Sequence, residues 1–228
     1  MTLSQITIPR PLTVAVHEFL PLVERLRELE TGKLTIRLGS DSGKMGIDEP
    51  RFTEILEAMS SYPGWGDVGE WGDVHEYTYT VGDITVSTNV HITKSVSMAH
   101  VSKQRLEVVD FKLLNHGSAR GCLHVDTPVN EDTIPETVTP SRVRIKKRKV
   151  FCRHPWTFAV SRVWKGPTRS MAESAQAKGD TGYDIEIGFT PDPGYWEEHT
   201  STYVATSMLM KMVDVVSAEM ISVEPVVK

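Results

Sequence analysis

From residue 75 onward the chain is a succession of short runs in which apolar and polar residues alternate: HEYTYTV, DITVSTNV, HITKSVSM, RLEVVDFKLLNH and GCLHVDTPV. A strand turns successive side chains to opposite faces, so such runs build strands with two unlike faces. Polar turns separate them, and strands joined this closely pair antiparallel. After the loop NEDTIPETVTP the pattern resumes in SRVRIKKRKVF, WTFAVSRVW and GYDIEIGF. An earlier run, KLTIRLG (33–39), sets Leu34, Ile36 and Leu38 against Lys33, Thr35 and Arg37. Sheet of this extent dominates any fold the chain can take.

Helical periodicity is confined to the flanks. Val16, Leu20, Val23 and Leu26 predict an amphipathic helix over 13–30, ended by Gly32. Pro21 lies inside it and predicts a kink or break. Pro9 and Pro11 make the first 12 residues an arm. Phe52, Ile55, Leu56 and Met59 mark a short helix with Pro50 near its start. YPGWGDVGEWGD reads as a turn-rich loop, and the small residues of 166–182 as a mobile loop. Tyr203, Met208, Met212 and Val215, with Leu209 and Val216 beside them, predict a helix over 201–219 that seals the base of the sheet or docks a partner. The expectation is an α+β chain forming a single domain over 1–228.

The net charge of −5 excludes a bulk polycation, so any nucleic-acid contact must come from a local basic patch. Cys122 and Cys152 offer neither a disulfide framework nor metal-ligand spacing and read as reduced, half-buried strand residues. No apolar run approaches the roughly 18 residues of a membrane span. MTLSQITIPRPL lacks a signal-peptide pattern, so a nuclear or cytosolic protein is expected. The eight histidines are scattered, and no phosphate-binding glycine loop, nucleophile elbow or HExxH motif is present. Trp156, Trp164 and Trp196 could stack bases, although core packing is the commoner role.

The strongest chemical signal is Arg142, Arg144, Lys146 and Arg148, which share one face of a strand. Lys147, Lys149 and Arg153 bring the total to seven basic residues without an acid between 142 and 153. Lysines and arginines can also mark a solvated edge strand. Here, however, like charges recur about every 6.6 Å along one face and repel one another. A multivalent anion lying over the row relieves that repulsion. Asp184 and Glu186 share one face of GYDIEIGF opposite Tyr183, Ile185 and Ile187. Such a pair suits an oxygen-ligand metal, a pairing with Arg or Lys, or plain solvent. Lys103 and Arg105 add two bases on one face before an apolar run.

In this order the segments from about 30 to 190 resemble the metal-dependent RNA 5′-triphosphatases of the fungal and protozoal type, the β-subunit of mRNA-capping enzyme. KLTIRLGS, VSKQRLEVVDF, DTPVNED, SRVRIKKRKVF, WTFAVSRVW and YDIEIGF carry the resemblance. It implies a closed antiparallel eight-stranded β-barrel, a triphosphate tunnel, with flanking helices. It implies phosphate binding by Arg144, Lys146 and Arg148, with Lys103 and Arg105 matching a further basic pair and Arg37 fitting the first strand; Arg142, from the row itself, extends the phosphate-binding set. It implies a divalent Mg²⁺ or Mn²⁺ on Asp184 and Glu186, and catalysis by Asp126 and Glu186. The implied partners are an RNA 5′-triphosphate end and a guanylyltransferase or the subunits of an RNP, with no membrane.

The departures carry as much information. Lys33 and Thr35 stand where the family has two metal-binding glutamates. Thr85 and Thr157 replace basic residues, while Ala159 and Gly188 replace acids. Phosphate-holding bases are largely kept and metal-holding acids largely gone. The metal stabilises developing charge by several kcal/mol, and each 1.4 kcal/mol is about tenfold in rate. The expectation is therefore a barrel that holds the triphosphate without a cofactor and without turnover. The alternatives are an active RNA 5′-triphosphatase and an enzyme acting on inorganic polyphosphate or nucleoside triphosphates.

Overall fold

The computed structural model describes residues 10–29, 31–39, 45–81, 84–91, 97–113, 117–130, 132, 134–192 and 194–219. Helix α1 (Arg10–Arg27) leads into β1 (Lys33–Gly39) and α2 (Glu49–Ser61). Then come β2 (Asp67–Val68), β3 (Gly72–Val81), β4 (Ile84–His91), β5 (Ser97–Lys112), β6 (Ser118–Pro128), β7 (Arg142–Arg153) and β8 (Trp156–Gly166). Helix α3 (Arg169–Lys178), β9 (Gly182–Phe189), α4 (Tyr195–Glu198) and α5 (Ser201–Ser217) complete the order.

Every pairing between the nine described strands is antiparallel. The order β7-β3-β4-β5-β6-β1-β9-β8 closes because β8 also pairs with β7. The result is the expected closed eight-stranded barrel, with β2 added on β7 outside it. Closure removes the free edges that an open sheet of this size would present.

Alternation then sorts the side chains. Leu34, Ile36 and Leu38 of β1 are buried in one large core with Leu123, Phe158, Val160, Ile185, Ile187 and Phe189. The helices α1, α2 and α5 cover this outer face with Phe19, Leu22, Phe52, Ile55, Met208 and Met212. The other half of each alternation, beginning with Thr35 and Arg37, is thereby turned into the barrel. A smaller cluster on the outside, Val143 and Ile145 of β7, packs against Ala172 of α3.

Several expectations are corrected. Residues 10–12 belong to α1 and not to an arm, while 1–9 and Glu30 lie outside the described residues. Pro11 sits in the first turn, where no backbone donor is needed. Helix α1 runs through Pro21 because the proline is exposed while Phe19, Leu22, Val23 and Leu26 hold the opposite face in the core. The expected mobile loop at 166–182 contains α3. Thr168 caps it by accepting from the Met171 amide, and Gly179 ends it in the left-handed region. The last two residues of the run HITKSVSM, Ser97 and Met98, and the run RLEVVDFK belong to one strand, β5, whose register shifts between Arg105 and Glu107, while 92–96 lie outside the described residues. The helix expected over 201–219 ends at Ser217 and is capped by Ala218. Cys122 and Cys152 are free and half-buried, as expected.

Candidate functional site

The barrel interior is assembled from eight strands by register. Arg37 on β1 pairs Glu186 on β9, which pairs Ala159 on β8. Ser161, one step along β8 on the same face, lies between Asp184 and Arg148. Because Ala159 and Ser161 are short, Arg148 of β7 reaches over β8 to Glu186. Its Nη2 lies 3.7 Å from Oε1, while Arg37 Nη2 donates to Oε2 at 2.9 Å. Arg37, Lys146, Arg148, Ala159, Ser161, Asp184 and Glu186 line a cavity of about 260 Å³, counting the solvent-open space at its mouth.

A second ion cluster follows on β3. Glu76 pairs Arg144 in register, and its carboxylate lies between two cations. Lys146 Nζ donates to Oε2 at 2.6 Å, and Arg144 Nη1 is 3.6 Å from Oε1. Burial would raise the Glu76 carboxyl, but Lys146 and then Arg144 outweigh it and hold it down at about 2. Glu186 is treated alike, Arg37 and then Arg148 outweighing burial and holding it far below the ordinary carboxylate range. Burial lowers the Lys146 ammonium, with Glu76 opposing. Arg142 is lowered by burial and by Arg144.

The sequence-derived residues thus divide. Arg144, Lys146, Arg148, Arg37, Asp184 and Glu186 meet in the interior around the two clusters. Arg142 continues the row and reaches Thr78 Oγ1 at 3.5 Å. Lys103 and Arg105 pair Asp126 and His124 of β6 on the far wall, where both bases are exposed. His124 Nε2 lies 3.7 Å from Asp126 Oδ1. Glu76 was not singled out from the sequence. HEYTYTV reads as a generic strand, and only the pairing of β3 with β7 places its one acid opposite the basic row. Trp156 is core, and Trp164 is half-buried with its indole donating to Thr181.

Three buried polar atoms in the barrel lack a hydrogen-bond partner: Nε of Arg144, Nε of Arg148 and Oδ1 of Asp126. Unsatisfied buried donors of a charged group are uncommon and expensive. The divalent cation suggested by the resemblance fits this interior poorly. Among the described residues no three of His, Cys, Asp and Glu come together as metal ligands. Glu186 already faces two arginines, Glu76 faces an arginine and a lysine, and Gly188 supplies no side chain.

No protein-family model matches the sequence, and no curated protein matches it. Solved structures do. The Pct1 RNA triphosphatase of S. pombe superposes with a TM-score of 0.65 at 12% identity, covering 96% of this chain and 99% of that one. The Mimivirus capping enzyme triphosphatase gives 0.62 at 11% identity, covering 90% and 97%. The fold is one that known RNA triphosphatases adopt. At this identity the likeness speaks for architecture. Pct1 has also been solved in complex with the Spt5 CTD, again with a TM-score of 0.65 to this chain. No helix among the described residues is long and apolar enough to cross a membrane.

Proposed function

We propose that the barrel binds the 5′-triphosphate end of an RNA and holds it without turnover. The observation that supports this best is the pair of buried guanidinium Nε donors, on Arg144 and Arg148, without an acceptor. They flank Lys146 on one strand face, and neutral surroundings would leave them desolvated for nothing. Phosphate oxygens are the acceptors that arginine matches best. Arg37 and Arg142 extend the grip, and Lys103 and Arg105 meet the phosphates from the far wall. RNA is favoured over free polyphosphate or a nucleoside triphosphate by the fold, which structures named as RNA triphosphatases share. Such a module would work in the nucleus or cytosol beside a guanylyltransferase or inside an RNP.

The second reading is a metal-dependent RNA 5′-triphosphatase using Asp126, Asp184 and Glu186. Asp184 and Glu186 in the wall of one cavity favour it. Incubating γ-labelled triphosphate RNA with the protein, with and without Mn²⁺, separates the readings. The expected result is retention of the RNA with no labelled phosphate released. Mn²⁺-dependent release that Glu186→Ala abolishes would establish the enzyme and sink the binding reading. Equal capture of inorganic tripolyphosphate and RNA would move the ligand away from RNA.

A further inference from the structure

We infer that the barrel takes its polyphosphate without a divalent cation, and that Glu76 and Glu186 are positioning residues that aim arginines at the anion. The inference rests on the anion-binding reading above and adds how the site is built.

Each glutamate forms an ion pair with an outer nitrogen of an arginine. Glu76 faces Arg144 at Nη1, and Glu186 faces Arg148 at Nη2. In both arginines it is the Nε that is left buried and without an acceptor. The carboxylates therefore attract the guanidinium groups through their outer nitrogens, and the Nε of each stays available for a ligand. A carboxylate already placed between two cations is a poor metal ligand, since an incoming dication would be set beside them. Both glutamates are in that position, Glu186 between Arg37 and Arg148 and Glu76 between Arg144 and Lys146.

Lys33 supplies an independent observation. A Cβ built on Gly188 would lie 2.6 Å from Thr157 Oγ1 and 3.9 Å from Lys33 Cε. Gly188 is on the same face of β9 as Asp184 and Glu186, so the space beside the two acids is taken by a hydroxyl and a lysine stem. An ammonium on that stem would supply positive charge toward the phosphates as part of the chain, where a bound metal would otherwise supply it.

The test is calorimetry of the full chain with inorganic tripolyphosphate, in EDTA and in Mn²⁺. Affinity is expected to agree within about threefold between the two, since no dication is needed. Glu186→Gln is expected to weaken binding by about tenfold in both, and Lys33→Ala by about tenfold in EDTA. Lys33 is half-buried and outside the core, so that variant stays informative if Glu186→Gln fails to fold. Electron paramagnetic resonance of the protein with micromolar Mn²⁺ alone should show free ion only. Binding confined to Mn²⁺, or protein-bound Mn²⁺ lost in Glu186→Gln, overturns the inference and leaves the anion site standing. No tripolyphosphate binding in either condition overturns the anion site as well.

Discussion

Lys146 and Glu76 form a salt bridge of 2.6 Å between β7 and β3 in the barrel wall, with about a tenth of each side chain exposed. Breaking a buried pair from one side leaves a charge without compensation, at about 3–5 kcal/mol. Glu76→Ala should therefore lower the free energy of urea unfolding by that amount. Glu76→Leu combined with Lys146→Met should lose less than either single change, because neither charge then remains. A double variant as unstable as the sum of the singles would show that the pair is not coupled.

The same carboxylate sets an acid limit on stability. Its folded value of about 2 lies below the ordinary 4.5. At roughly 1.4 kcal/mol per unit, the depression corresponds to about 3 kcal/mol, reduced by what burying Lys146 costs. A carboxylate depressed on folding contributes fully above the unfolded value and loses that contribution as protons bind the unfolded chain first. Stability should therefore decline as pH falls from about 4.5 toward 2. Glu76→Gln should be less stable at neutral pH and flatter across that window. A variant that keeps the full acid slope would place the slope elsewhere, Glu186 being the next carboxylate to test.

Arg144→Ala and Arg148→Ala should each weaken binding of triphosphate RNA by about 10- to 100-fold, the range for one charged hydrogen bond. Monophosphate RNA, which cannot span both arginines, should lose no more than about threefold. Anisotropy titrations at one fixed salt concentration measure both, since phosphate contacts are salt-dependent. Equal losses for the two ends would mean that the arginines serve general RNA attraction and do not count phosphates.

The strand alternation made the barrel legible, because Leu34, Ile36 and Leu38 and their counterparts need a cover and the opposite set needs an interior. The basic row on β7 was equally plain, since Arg142, Arg144, Lys146 and Arg148 share one face in any strand. Glu76 was hidden because its significance lies in register. A shift of one residue between β3 and β7 would put it on the outer face, and no local pattern selects between those registers. Helix α3 was missed for a related reason. Its sequence has few large apolar residues, and only Ala172 is buried, so the capping Thr168 and Gly179 were its main signals.

Gly121 of β6 tests whether the helical cover and the interior are separable. It pairs Ile36 on the outer face, and a Cβ there would lie 2.7 Å from Phe19 Cε2 and 3.3 Å from Leu22 Cδ2 of α1. Neither neighbour has room to withdraw, because both are fully buried. Overpacking of this kind costs about 1–3 kcal/mol. Gly121→Ala should therefore lower Tm by about 3–10 °C in a chain of this size. The added methyl points away from Arg37 and Glu186, so triphosphate affinity below Tm should be unchanged. Phe19→Leu in the Gly121→Ala background removes the closest ring and should recover part of the loss. Were affinity to fall with Tm, the packing of α1 on β6 would be setting the geometry of the tunnel wall, and the helices would belong to the site.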